Sequence, residues 1–242
     1  MYACDKAPLE AKTESVDDTN PLWRKDKVSY AAAYGGERIP AYLYLPKSGS
    51  PPFQTVVFAP GGDARVLRNS ETGIHTDNFD YLIRTGRAVL YPIYKGLFER
   101  GAMNEPGGPN ARRDILIACQ KDLARSVDYL ETRPDIQSSR LAYYGISWGG
   151  SYGVIFVSVE PRIMNYAPRV RVPALMVNGR LDFLVGGDEL ARPLLRFLGS
   201  PAGDKRMVEI ESGHVPPVQD LMREVLDWLD KYLGPVKSGS GG

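Results

Sequence analysis

One stretch constrains the fold more than any other: Leu141-Ala142-Tyr143-Tyr144-Gly145-Ile146-Ser147-Trp148-Gly149-Gly150-Ser151. An apolar, strand-like run enters it. A run of small residues suited to a helix start leaves it. Gly145, Ser147 and Gly149 spell Gly-x-Ser-x-Gly. A strand that turns sharply into a helix holds a serine hydroxyl out of the chain and aims the next backbone N–H at the same point. The turn predicts a strained backbone at Ser147. It also requires glycine at 145 and 149, because a Cβ at either place would strike the neighbouring strand or helix. The pattern arises by chance in roughly one chain of this length in ten, so the reading needs partners. The plain alternative is a solvated serine in a glycine-rich turn.

A serine hydroxyl becomes a nucleophile beside a base, and the base needs an orienting acid. The chain has two histidines. His214 lies in Ser212-Gly213-His214-Val215, just past the strand-like run Met207 to Ile210, where a loop leaves the imidazole free to swing over a sheet edge. His75 lies among polar neighbours ahead of a helix and reads as a surface histidine. The acid is expected at a third strand end. Pro173 to Asn178 forms an apolar run, a turn follows, and Asp182 stands just beyond it. Asp188 competes, but its place before Glu189 to Leu198 suits a helix N-cap. Ser147, Asp182 and His214 are therefore the candidate triad.

An oxyanion hole needs two N–H donors. Trp148, directly after the serine, supplies one. Thr55-Val56-Val57-Phe58-Ala59 reads as a central strand, and Pro60-Gly61-Gly62-Asp63 as the loop after it. Gly62 is the expected second donor, with Asp63 as the alternative. An ordinary Pro-Gly-Gly turn competes with this reading. Tyr94 and Lys95, at the end of a further strand, and the Trp148 ring are the candidate substrate-binding residues. For Tyr94, plain packing stands at even odds with pocket lining.

Composition excludes other classes. A net charge of +1 over 242 residues offers no basic face or arm for nucleic acid. No run approaches the ~20 apolar residues of a membrane span. The first residues carry no apolar signal core, which favours the cytoplasm. Two cysteines make no disulfide framework, and Cys119 falls on the apolar helical stripe Ile115, Cys119, Leu123, Val127, Leu130. No His or Cys pair has metal-ligand spacing, and no phosphate loop or dinucleotide fingerprint is present. The expectation is no metal and no cofactor.

Residues 1–26 read as an irregular lead-in, 27–235 as one domain and 236–242 as a flexible tail. Lys27–Ala33 and Arg38–Leu45 read as a hairpin around Gly35-Gly36. Strands are expected at Thr55–Ala59, Ala88–Tyr94, Leu141–Ile146, Pro173–Asn178 and Arg206–Ile210. Helices are expected at Asp77–Thr85, Asn110–Thr132, Trp148–Val159, Glu189–Leu198 and Val218–Leu233. This alternation predicts an α/β fold with a mainly parallel central sheet and helices on both faces. Ligands then bind at the strands' carboxyl ends, where the triad candidates fall.

The order Ser, Asp, His and the stretches "AAYGGERIPAYLYLP", "GRAVLYPIYKG", "YYGISWGG", "VPALMVNGRLDF" and "SGHVPP" resemble the α/β-hydrolases of the dienelactone-hydrolase and acetyl-esterase type. Over most of its length the chain is most similar to the hydrolase-like domain at the C-terminal end of some bacterial serine/threonine protein kinases. The resemblance implies the α/β-hydrolase fold and the same three triad positions. The leading expectation is a carboxylesterase working through an acyl-enzyme on small or bulky esters. A catalytically weak sensor or interaction module is the alternative, and a peptidase ranks below both. One departure stands out. Between the serine's helix and Pro173 such folds carry a further strand and an excursion, and here the chain is too short for both. Two outcomes are expected: a break in the main chain between about Pro161 and Ala167, or an unbroken chain with the Asp182 strand beside the Ser147 strand or an edge filled by another molecule.

Overall fold

The structure, a computed structural model, describes residues 7–101, 110–157, 159–160, 164–165, 172–183 and 191–236. The chain divides into two compact units, Met1–Phe156 with Val236–Gly242, and Val157–Pro235.

The first unit is built on a six-stranded sheet. Its strands are β1 (Lys12–Asp17), β2 (Trp23–Ala31), β3 (Arg38–Pro46), β4 (Phe53–Ala59), β5 (Ala88–Pro92) and β6 (Ile136–Gly145), in the order β1-β2-β3-β5-β4-β6. The sheet is mixed rather than mainly parallel. β5, β4 and β6 run parallel, while the β1–β2, β2–β3 and β3–β5 pairings are antiparallel. The hairpin accounts for this. Gly35 and Gly36 both take positive φ, 62° and 63°, so β2 and β3 fold back on each other and add antiparallel strands to the parallel group. Residues 1–26 are not irregular throughout. Lys12–Asp17 pairs with β2, an exposed polar strand with no apolar alternation to betray it.

Strand alternation puts helices on both faces. Tyr30 pairs with Ile39, so the two side chains share a face. On that face the Tyr30 hydroxyl lies 2.6 Å from Ser126 Oγ and its ring stacks on Tyr129. Both partners belong to α3 (Ala111–Glu131). Tyr44 lies five positions on from Ile39 and so points the other way. It meets Phe79 edge-on, at the start of α2 (Asp80–Arg84). The expected helix Asp77–Thr85 is thus a 3₁₀ turn, Thr76–Asn78, followed by this short α2. A four-residue helix, α1 (Ser70–Gly73), precedes them. Val56, Val57, Phe58 and Ala59 are all buried, as a strand covered on both faces requires. On α3, Cys119, Leu123, Val127 and Leu130 are fully buried.

From β6 the chain turns into α4 (Trp148–Val157). In the second unit, β7 (Val159–Glu160) and β8 (Met164–Asn165) form a short antiparallel pair. β9 (Ala174–Gly179) and β10 (Lys205–Ile210) pair in parallel as a separate two-stranded sheet. α5 (Arg192–Phe197) packs on β10 and α6 (Val218–Leu233) on β9. The expected break near Ile163 falls outside the described residues. Among the described residues β9 pairs with β10 alone, and β6 with β4 alone.

Candidate active site

Ser147 stands at the corner between β6 and α4 with φ of 49°. A non-glycine residue in the left-handed region is costly and persists where its surroundings force it. The force here is close packing. A Cβ on Gly145 would lie 2.4 Å from the Gly149 carbonyl carbon and 2.6 Å from Gly150 N. A Cβ on Gly149 would lie 2.4 Å from the Ala59 carbonyl oxygen. The corner is pinned to β4 by hydrogen bonds from Ile146 N to Ala59 O (3.1 Å) and from Gly149 N to Pro60 O (3.0 Å). The Tyr143 hydroxyl donates to Gly149 O at 2.7 Å. Both glycines expected from sequence therefore have the steric reason expected of them.

The loop after β4 reaches the same corner. A Cβ on Gly61 would stand 3.9 Å from the Ser147 Cβ, whereas Gly62 has open space around it. Gly62 begins a 3₁₀ turn, Gly62–Arg65, whose first N–H groups have no acceptor within the turn. The candidate donors Gly62 and Asp63 thus occupy a helix start beside the serine, and Trp148 occupies the start of α4. The Trp148 side chain is buried, 7 % exposed, against Tyr152.

Tyr94 is fully buried, its hydroxyl donates weakly to Phe58 O at 3.5 Å, and burial pushes its phenol well up. Lys95 is committed to a charged cluster. Its ammonium lies 2.6 Å from Glu37, and its backbone N–H donates to the buried Asp122 at 2.8 Å. Asp122 also accepts from Arg100 at 2.5 Å and from the Tyr34 hydroxyl at 2.8 Å. This cluster ties the β2–β3 hairpin, the loop after β5 and α3 together. Its members are scattered over some 90 positions of sequence, so no local pattern announces it.

In the second unit, His214 Nδ1 lies 2.9 Å from Asp182 Oδ2. The Asp182 side chain is 2 % exposed and the His214 ring 22 %. The two loops carrying them are laced together by backbone bonds from Arg180 N to Ile210 O and from Leu181 N to Ser212 O. A buried carboxylate on Nδ1 fixes the imidazole tautomer and leaves Nε2 to handle a proton. Of the two acids weighed from sequence, Asp182 is the one on His214; Asp188 lies outside the described residues. His75 belongs to the first unit and is exposed, with Nε2 3.7 Å from Asp63 Oδ2.

No family model matches the chain, and no curated protein matches it. Solved structures do. An acetyl xylan esterase from Paenibacillus sp. R4 matches with a TM-score of 0.69 and 15 % identity, over 94 % of this chain and 90 % of that one. A cold-adapted esterase from an Arctic intertidal metagenomic library gives 0.69 and 18 %, over 92 % and 100 %. Acetyl xylan esterase 1 from Thermoanaerobacterium sp. JW/SL YS485 gives 0.64 and 15 %, over 93 % and 89 %. At this identity the likeness is one of fold, and the fold is that of the α/β-hydrolases.

Proposed function

We propose that the chain is a serine hydrolase that cleaves carboxylic esters, with Ser147, His214 and Asp182 as its triad. The observation that carries the reading is Ser147 held at positive φ on a strand-to-helix corner whose glycines admit no side chain. Strain of this kind is maintained where it presents a reacting group. His214, with the buried Asp182 carboxylate on its Nδ1, has the orientation and tautomer a general base needs and supports the reading. The esterase names that recur among similarly folded structures support an ester substrate, and prolyl endopeptidases share the fold as well.

In this mechanism Ser147 Oγ attacks the ester carbonyl carbon while His214 Nε2 takes the hydroxyl proton. Asp182 accepts the Nδ1–H and stabilises the imidazolium. The N–H groups of Trp148 and Gly62 receive the oxyanion, and losing one such donor costs about 10²–10³ in rate. His214 then gives its proton to the departing alcohol, leaving Ser147 acylated. Water, deprotonated by His214, attacks the acyl carbon. The acid leaves and Ser147 regains its proton.

A fluorophosphonate tests the assignment. It is expected to label the chain once, at Ser147, and to abolish turnover of a short-chain aryl ester in step with labelling. Equal labelling of Ser147→Ala, or no turnover by the intact chain, would sink the proposal. The second of these results would turn the reading toward a non-catalytic module.

A further inference from the structure

The loop beside Ser147 carries a charge that the reaction itself does not call for. Asp63 is the second residue of the 3₁₀ turn Gly62–Arg65. Its Oδ1 lies 3.0 Å from the point where a Cβ on Gly61 would stand, and the Ser147 Cβ lies 3.9 Å from that same point. Carboxylate and serine thus flank a single glycine. The Asp63 side chain is 52 % exposed, so a bound molecule can reach it. Among the described residues it lies 3.7 Å from His75 Nε2. An imidazole compensates a carboxylate only when protonated.

A fixed negative charge here acts against catalysis on an ordinary ester. The tetrahedral intermediate places negative charge on an oxygen close to Ser147, and a neighbouring anion raises its energy. A cationic group on the substrate would reverse the sign, because it neutralises the carboxylate in the complex. A substrate anion would meet repulsion twice, from Asp63 and from its own developing oxyanion.

The geometry points to Asp63 as a charge selector that makes this site prefer esters bearing a cationic group, such as an ammonium, and reject esters bearing an anion. The inference rests on the serine-esterase reading above. At separations of several ångströms in a half-exposed site, one charge changes kcat/KM by roughly three- to tenfold in either direction, and salt shrinks the effect.

The test uses the full chain and three acetates matched in size. They are acetylcholine, its uncharged isostere 3,3-dimethylbutyl acetate, and an acetate whose alcohol ends in a carboxylate, all followed by proton release at constant pH. At low ionic strength kcat/KM is expected to fall in the order cationic, neutral, anionic, with about tenfold or more between the ends. At 0.5 M salt the spread narrows. In Asp63→Asn, shown to be folded by its thermal transition, the spread collapses to within about twofold and the anionic ester gains. Asp63→Glu keeps the order. Turnover of the neutral ester without charge discrimination in the wild type overturns the inference and leaves the esterase reading standing. So does a spread that survives intact in Asp63→Asn. Failure to turn over any of the three overturns both.

Discussion

Gly179 and Gly213 approach each other so closely that a methyl group on the first would stand 1.7 Å from the carbonyl oxygen of the second. Gly179 ends β9, three residues before Asp182, and Gly213 directly precedes His214. The contact therefore sets how near the acid's loop comes to the base's loop. No shift of a side chain can relieve it, because the obstructing atoms are backbone.

Gly179→Ala is accordingly expected to drive the two loops apart and break the 2.9 Å bond between Asp182 and His214. Turnover of a short-chain ester should fall by at least about 10²-fold, with a stability loss of a few kcal/mol, as backbone overpacking produces. Gly213→Ala is the control, since a Cβ there meets nothing within 4 Å. Near-equal kcat values for the two variants would show that the loop spacing does not govern the pair.

The strain at Ser147 has its own signature. Elsewhere in a folded chain, alanine is usually more stabilising than glycine by about 0.5–1 kcal/mol. At φ of 49° the order should invert. Ser147→Gly is expected to be more stable than Ser147→Ala by about 1 kcal/mol, or roughly 2–4 °C in Tm for a chain of this size. Both variants lose activity. Differential scanning calorimetry of the pair decides it, and an alanine variant as stable as the glycine variant would mean the corner is not strained.

These two positions also show what could be read from sequence and what could not. The corner was legible because its whole logic is local: a strand, a turn and a helix whose glycines sit two residues either side of Ser147. The Asp182–His214 pairing was legible because each of the two residues follows a strand-like run. The Gly179–Gly213 approach was not, since it joins residues 34 positions apart and neither has a side chain to leave a pattern. β1 escaped for a related reason. Lys12 to Ser15 are polar and exposed, so the strand exists through its ladder with β2 and not through any apolar alternation. The burial of Tyr94 was not legible either, because a tyrosine at a strand end reads alike whether it faces ligand or core.

The two histidines separate the site from its surroundings. His214→Ala should lower kcat by several orders of magnitude, as loss of a triad base does. Asp182→Asn should cost on the order of 10³–10⁴, because the wrong tautomer is then favoured. His75→Ala, at an imidazole 60 % exposed, should leave kcat on a neutral ester within about twofold. Steady-state kinetics on one uncharged substrate checks all three, and a large loss confined to His75→Ala would exchange the roles.

Acid stability has a definable contributor at the entry to β6. Arg133 grips Asp135 through two hydrogen bonds, Nε to Oδ1 at 2.8 Å and Nη2 to Oδ2 at 2.6 Å. Partial burial works to raise the Asp135 carboxyl, but the bonds and charge of Arg133 outweigh it and hold the group below its ordinary value of 3.8. A carboxylate with a depressed folded pKa adds stability that is fully present above the unfolded value. That stability disappears as the pH falls through the folded one. Unfolding free energy should therefore lose this contribution from about pH 4 downward. Because the side chains are 21 % and 25 % exposed, its size is about 1 kcal/mol, toward the lower end for a charge-assisted pair. Asp135→Asn removes the titrating group. It should be less stable than the wild type by that amount at pH 7, and the two should draw together in strong acid, once the pH has fallen through the folded pKa. Urea unfolding at both pH values makes the comparison, and a gap that stays constant between them would show that the pair's charge contributes nothing.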